Sequence, residues 1–508
     1  ISTYAQNEGK ATEVNLYGGS ITGNLYGGGL GEATHAADVY GPVTVNVEGG
    51  KVTNVFGCNN VLGSPKSTAT VNIHGMTAPG ESETYTITSV YGGGKDAAYT
   101  GTGGVSVVMT NGYVNDVFGG GLGSTATVNG TTSVMLTGGN VTNDVYGGGS
   151  LGSVTGAVNV TLNGGTVAQN IYGGGLGQLA ADAVGNPGDP GYVPAKTAVP
   201  ASVGGAVKVS VIIGSATNVF GCNNVNGMPT STVNVEIGTK TGEAPNITYS
   251  GTGTISGNVY GGGNMAACTS SPTVKLYSGT VNNNVYGGGL GSTAATGGAT
   301  VIMEGGLVKN DVYGGGSLAE VTGSVNVSIS GGTVTHDVYG GGALANTNTA
   351  NWNTSGSATT YVEVTGLNNT YYYNTVSIPE GQSVEGYYTY NGSTYVAATG
   401  TAVKNETYYQ RLTGAPIAGY YTKSGNVYTL HTSGTAVPNE TYYKKVVTGS
   451  WAEGKNNNET GTLSKTTVIL TGGSVGNVYG GGLGSSTVAA NVYGDVKGTG
   501  NKPEELTS

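Results

Sequence analysis

Along most of the chain, apolar and polar residues alternate in short runs that end at pairs of glycines. Residues 157–175 read AVNVTLNGGTVAQNIYGGG. Val158, Val160 and Leu162 alternate with Asn159, Thr161 and Asn163, a period of two that predicts a strand with one apolar face. Gly164 and Gly165 then turn the chain. A short second strand carries Val167, and Asn170, Ile171 and Tyr172 lead into a glycine run. The same order returns at 133–149, 300–316, 324–342 and 466–482.

An aromatic residue preceded by an aliphatic one and followed by glycine marks each repeat: Tyr26, Phe56, Tyr91, Phe118, Tyr146, Tyr172, Phe220, Tyr260, Tyr286, Tyr313, Tyr339 and Tyr479. All three phenylalanines of the chain fall on this position. The plain repeats are 26, 27 or 28 residues long, with longer spacings of 30, 35, 40 and 48 where loops intrude. Two or three short strands and their turns fill such a unit. Stacking the units predicts an all-β fold, a parallel β-solenoid, read here as a right-handed β-helix although the pattern itself leaves the hand open. Propeller blades need about 40 to 45 residues, and leucine-rich repeats carry words that this chain lacks.

Two residues before the aromatic stands Asn or Asp: Asn24, Asn54, Asp116, Asp144, Asn170, Asn218, Asn258, Asn284, Asp311, Asp337 and Asn477. These residues tolerate left-handed backbone and bond to their own chain at turns. Stacked asparagines also form ladders. The position therefore predicts a structural corner, and the rings predict a stack in which each pair adds about 0.5–1.5 kcal/mol beyond burial. Val145 and Tyr146 are neighbours, so a straight strand sends them to opposite faces. The pattern leaves open whether the rings face the core or the outside.

A longer period overlies the short one. Phe56 to Phe220 is 164 residues, Tyr91 to Tyr260 is 169, Phe118 to Tyr286 is 168 and Tyr146 to Tyr313 is 167, a duplicated block of five repeats. Residues 480–496 mirror residues 27–43. The reading is a solenoid over 1–366 with surface loops at 178–203 and 238–252, an inserted module at 367–449, and a terminal repeat and tail at 450–508. The insertion has its own repeat, in which GYYTYNGSTYV and GYYTKSGNVYT predict tyrosine-rich hairpins. Trp352 and Trp451 bracket it. Its tyrosine doublets, Tyr387 and Tyr388, Tyr408 and Tyr409, Tyr420 and Tyr421, Tyr442 and Tyr443, are candidate contacts for a ligand or partner, because tyrosine offers a ring and a polar tip. The alternative is that half of them build a small core.

Composition sharpens the picture. Glycine accounts for 97 of the 508 residues, and charged residues for only 9%, where about 25% is ordinary. Abundant Val and Tyr argue against disorder. The net charge of −10 and a single arginine, Arg411, argue against nucleic acid as a partner. The sequence contains no apolar run of transmembrane length. Residues 1–4 open no signal peptide. Cys58 and Cys222 share the word FGCNN five repeats apart. At about 4.8 Å per repeat they are too distant to bridge, so they read as packing residues.

Asp116 with Asp144, and Asp311 with Asp337, lie on adjacent repeats, at a spacing that resembles a retaining hydrolase pair or a calcium site. They occupy a position where the repeats use Asn as freely as Asp. His35, His74, His336 and His431 are scattered and show no metal spacing. No catalytic residue, metal or cofactor is expected, and the chain is read as no enzyme.

The recurring NVYGGG and VxVxLxGG words, from Val14 to Val496, resemble those of bacterial cell-surface β-helix proteins, the pectin-lyase-like adhesins. The resemblance implies an extracellular or cell-surface location and an adhesive or structural role. Terminal repeats of a solenoid expose strand edges, and neither end of this sequence shows a capping helix. The expected partner is therefore the chain itself, in head-to-tail homopolymers, with host or microbial glycans or surface proteins as further partners. A phage-type receptor-binding fibre and a carbohydrate-binding or degrading β-helix protein stay open as alternatives.

Overall fold

The computed structural model describes residues 12–493 apart from 76–77, 185–191, 352–356, 365–366, 368–371, 413, 425–426, 438–439 and 450–463. Trp352, Trp451 and the tail beyond residue 493 lie outside the described residues. The chain divides into two compact units, Ile1–Trp352 with Asn456–Lys497, and Asn353–Lys455.

The first unit is a 25-stranded sheet built by parallel pairing of each repeat with the next. Val43–Val47 pairs in register with Ala69–Ile73, and that strand with Val105–Met109. Alternation decides which side chains go inward: Val158, Val160 and Leu162 are buried while Asn159 is exposed. Register then aligns like with like. Val14, Val45, Val71, Val107, Val134, Val160, Val209, Val235, Val274, Val301, Val327 and Val468 pair one after another through the unit. With the aliphatics of the two shorter strands they form one continuous apolar core.

Most repeats turn, after the ring, at glycines that leave no room for a side chain. A Cβ on Gly148 would lie 2.7 Å from the backbone nitrogen of Gly175 in the next repeat, a clash with backbone that no rotamer relieves. The pairing slips at the expected corner. Its register shifts between Val167 and Asn170, and between Ile21 and Asn24, because the linking residues vary in number. Both surface loops are antiparallel ribbons. Gln178 bridges Val199 and Ala181 bridges Lys196, and Thr239–Thr241 pairs with Thr248–Ser250.

Repeats that are consecutive in space need not be consecutive in sequence. Val325–Val334 pairs with Thr466–Leu470, and Val338–Tyr339 with Val478–Tyr479. The second unit is thus an insertion between two paired repeats. It begins earlier than residue 367, because Ser357–Val364 pairs antiparallel with Tyr442–Gly449. It is also two small sheets rather than one module. Tyr372–Val376, Tyr408–Leu412, Tyr387–Tyr390 and Tyr395–Ala397 form one sheet. Ser357–Val364, Tyr442–Gly449, Tyr421–Ser424 and Val427–Leu430 form the other, in the same strand order. The first sheet is nested in sequence inside the second.

Candidate functional site: a ring column and a tyrosine face

Parallel in-register pairing places equivalent side chains one strand spacing apart with the same orientation. The twelve marker aromatics therefore make one column. Successive centroids are 4.7–4.9 Å apart and ring planes differ by 3–12° from Tyr26 to Tyr479. The column is not part of the main core. It is a second apolar seam, covered by Leu122, Leu176, Leu290 and Leu344 of the glycine-rich loops that follow the rings. Val145 and Tyr146 do point to opposite faces, and both faces are buried. Burial, followed by the nearby Asp144 carboxylate, pushes the Tyr146 and Tyr172 phenols well above their ordinary value. Burial, helped by the Asp116 carboxylate, pushes Tyr91 up to about 12 against the pull of its hydrogen bond with Ser89.

The Asn and Asp positions form a second column beside the rings. The Asn54 amide donates to Asn24 Oδ1 at 2.8 Å, and the Asn218 amide to Asn170 Oδ1 at 2.9 Å. Further along, the side-chain oxygen accepts the backbone N–H of the next repeat: Asn258 to Asn218 at 2.8 Å, Asn284 to Asn258 at 3.0 Å, Asp311 to Asn284 at 3.0 Å and Asp337 to Asp311 at 2.9 Å. These bonds satisfy backbone donors where the strand ladder is interrupted. In the Tyr91 repeat the place is taken by Ser89, which pairs with Asn54 and Asp116; the sequence pattern missed it.

The paired carboxylates belong to this ladder. Asp144 Oδ1 accepts from the backbone and amide nitrogens of Asn170, both at 2.9 Å, and Oδ2 accepts the Tyr146 hydroxyl at 2.9 Å. Asp116 Oδ1 accepts from Asn143 at 2.7 Å and from the Asp144 backbone at 3.2 Å. Burial raises the Asp116 carboxyl above its ordinary value. Asp337 accepts both Asn477 nitrogens at 2.8 Å. Their lone pairs are committed to the protein. Among the described residues no three His, Cys, Asp or Glu side chains gather as metal ligands. His74 contacts Thr110 at 2.7 Å and His431 contacts Thr422 at 2.9 Å, as isolated pairs. A cleft beside the 178–203 ribbon is lined by uncharged residues, among them Leu179, Pro200, Met228 and Met265.

In the insertion the tyrosine doublets split by face. Tyr408 and Tyr442 are 5% and 2% exposed and are the central rings of the two small cores. Their hydroxyls accept the backbone N–H of Val403 and Val437 at 3.0 and 2.9 Å. Tyr420 packs against the second core, and Tyr387 is half-buried. The core reading holds for these rings, and alternation sends the other member of each doublet to the opposite face.

On that face of the nested sheet Tyr388 and Tyr409 are joined by Tyr373, Tyr390 and Tyr395. Tyr373 stacks on Tyr395 at 3.8 Å and meets Tyr388 edge-on at 5.1 Å. Tyr395 meets Tyr409 edge-on at 5.0 Å, and the Arg411 guanidinium lies 5.2 Å from the Tyr388 ring. Tyr390 and Tyr395 are 47% and 36% exposed. The other sheet carries Tyr421 and a Tyr428–Tyr443 pair 5.2 Å apart, with Lys423 over Tyr428.

Comparison with known protein families, with curated proteins and with solved structures finds no match to this chain.

Proposed function

We propose that the chain is an extracellular, non-catalytic structural or adhesive protein of the bacterial surface, a right-handed β-solenoid whose copies stack head to tail into a fibre. The observation that carries this reading is the alignment of like residues from the first described repeat to the last, unbroken in the valine and ring columns and interrupted in the Asn/Asp column only by Ser89. Each column adds its contacts along the direction in which the strands pair, so the unit resists bending and extension in that direction. A fibre requires that property, and it needs no chemistry at any one repeat.

Among the described residues the outermost repeats are paired on one side only. Thr12–Leu16 pairs with Val43–Val47, and Thr466–Leu470 pairs with Val325–Val334. Beyond the latter, Ile469, Leu470, Val478, Tyr479 and Leu483 are 44–49% exposed. Rows of unpaired amides and carbonyls recruit further strands, and a head-to-tail contact that does not close makes a filament. In this reading a second copy pairs with these edges. Imaging by negative stain over a concentration series tests this: filaments are expected, shortened by Tyr479→Lys, and monomers at every concentration would contradict it.

A second reading rests on the tyrosine face of the nested sheet, five rings beside a guanidinium. Flat aromatic surfaces with polar tips stack on sugar rings and on proteins alike, and we take a surface glycan as the ligand. A glycan array with the full chain is expected to give hits that Tyr390→Ala and Tyr395→Ala abolish. Hits unaffected by both substitutions would remove this face from the account.

A further inference from the structure

All three cysteines are buried thiols, and two of them face each other. Cys58 and Cys222 share one place in the repeat, the second residue after the ring, where most repeats have glycine. Where glycine stands there, its inward direction is plain. A Cβ on Gly262 would lie 2.8 Å from Cγ2 of Thr296, one on Gly288 3.1 Å from Cγ2 of Val321, and one on Gly315 2.6 Å from Cγ2 of Thr347. Thr296, Val321 and Thr347 are successive members of a column of parallel bridges, and each lies one repeat beyond its glycine. This place therefore aims its side chain at the bridge column of the next repeat.

For Cys222 the bridge residue of the next repeat is Cys268, which bridges Thr296. For Cys58 it is Tyr99, which bridges Val128. The side chains agree. The Cys222 and Cys268 thiols lie near enough to shift each other's protonation, and the Cys58 thiol does the same to the Tyr99 hydroxyl. In the glycine repeats the same place brings a Cβ within 2.6–3.1 Å of the bridge residue's side chain, and a disulfide needs Cβ atoms about 3.5–4.5 Å apart. The duplicated block thus carries its own control: the same geometry holds Cys with Cys in one copy and Cys with Tyr in the other.

We propose that Cys222 and Cys268 form a disulfide that staples two consecutive repeats of the second block, while Cys58, opposite Tyr99, remains a thiol. This inference is independent of the fibre reading. With glutathione disulfide as oxidant, the Cys268 thiolate attacks one glutathione sulfur and expels the other glutathione as thiolate. The Cys222 thiolate then attacks the Cys268 sulfur of the mixed disulfide and expels the second glutathione. Two electrons pass to glutathione disulfide, and the two thiol protons end on the two glutathiones. Because both cysteines are buried in the folded chain, exchange takes place while the repeats are open, during folding; there either cysteine's thiolate can make the first attack, with the same products.

The test is to refold the full chain from denaturant in a glutathione redox buffer, alkylate it, digest it without reductant and map the peptides by mass spectrometry. A Cys222–Cys268 peptide pair, lighter by two hydrogens than the two thiol peptides together, is expected, with Cys58 alkylated; reductant should make all three alkylatable. Reductant should also lower the thermal midpoint of the natural chain and leave that of Cys268→Ser unmoved. Three alkylated cysteines after oxidative refolding, or Cys58 in the cross-link, would overturn the proposal.

Discussion

The two units use tyrosine in opposite ways. In the repeat-bearing unit the rings lie face to face, their planes within 12° along the whole column. In the insertion the angles scatter: Tyr373 stacks on Tyr395 at 5°, Tyr390 meets Tyr395 at 47°, and the pairs Tyr373–Tyr388, Tyr395–Tyr409 and Tyr428–Tyr443 meet edge-on at 76°, 75° and 85°. The cause is strand direction. Parallel in-register strands repeat the same residue in the same orientation about every 4.8 Å, so identical rings stack as copies. Antiparallel strands bring different positions together across and diagonally, so rings meet at whatever angle their rotamers allow. One arrangement extends without limit; the other makes a finite patch.

The difference is broken most severely at the glycines. Gly148→Val drives a branched side chain into the Gly175 backbone, and a loss of roughly 4 kcal/mol or more is expected. Gly392→Ala in the insertion meets no atom within 4 Å but has φ +93, a strain of about 1–2 kcal/mol. Denaturant titration with a probe in each unit reads both. The rings come next. Tyr172→Ala opens a cavity at a residue 1% exposed and should cost about 3–5 kcal/mol. Tyr395→Ala, at 36% exposure, should cost about 1 kcal/mol.

The ladder gives less than the loss of a column ring. Asp144→Ala removes the acceptor of two Asn170 donors and of the Tyr146 hydroxyl and should cost about 2–3 kcal/mol. Asp144→Asn keeps an acceptor oxygen and should cost less. Alkaline pH perturbs the column without any substitution. The column phenols have folded values above the ordinary 10.0, so the stability they contribute is full below pH 10 and is lost as pH rises. In that window each of Tyr146 and Tyr172 removes about 1.4 kcal/mol per pH unit while neutral folded and ionised unfolded. Tyrosinate absorbance from the column should rise together with unfolding.

Much of this was legible in the residues. Alternation in runs such as 158–162 and the recurrence of ring and glycine predicted the strands, the stacking unit and the members of both columns. The face of the rings was not legible, because alternation sends Val145 and Tyr146 apart without saying that a leucine loop folds back over the ring. The doublets of the insertion carried their division in the same period of two, but which member is core depends on what packs beneath. Cys268 escaped notice because its column has no constant residue: Tyr99, Val128, Val154, Val203 and Pro229 hold that place in other repeats. Pairing alone defines it.

The central claim is that distance in the first unit counts repeats, not residues. Nitroxide labels on Asn159, Lys208 and Asn326, all exposed on the outer face of paired strands, test it by pulsed electron resonance in a chain with its cysteines replaced by serine. Asn159 pairs directly with Lys208, and Lys208 reaches Asn326 through Asn234, Thr273 and Thr300. At about 4.8 Å per step, the first pair should be one step apart although a loop separates the two residues in sequence. The outer pair, Asn159 and Asn326, should be about 24 Å apart. Distances that follow sequence separation, or an Asn159–Lys208 pair as far apart as Lys208–Asn326, would contradict the account.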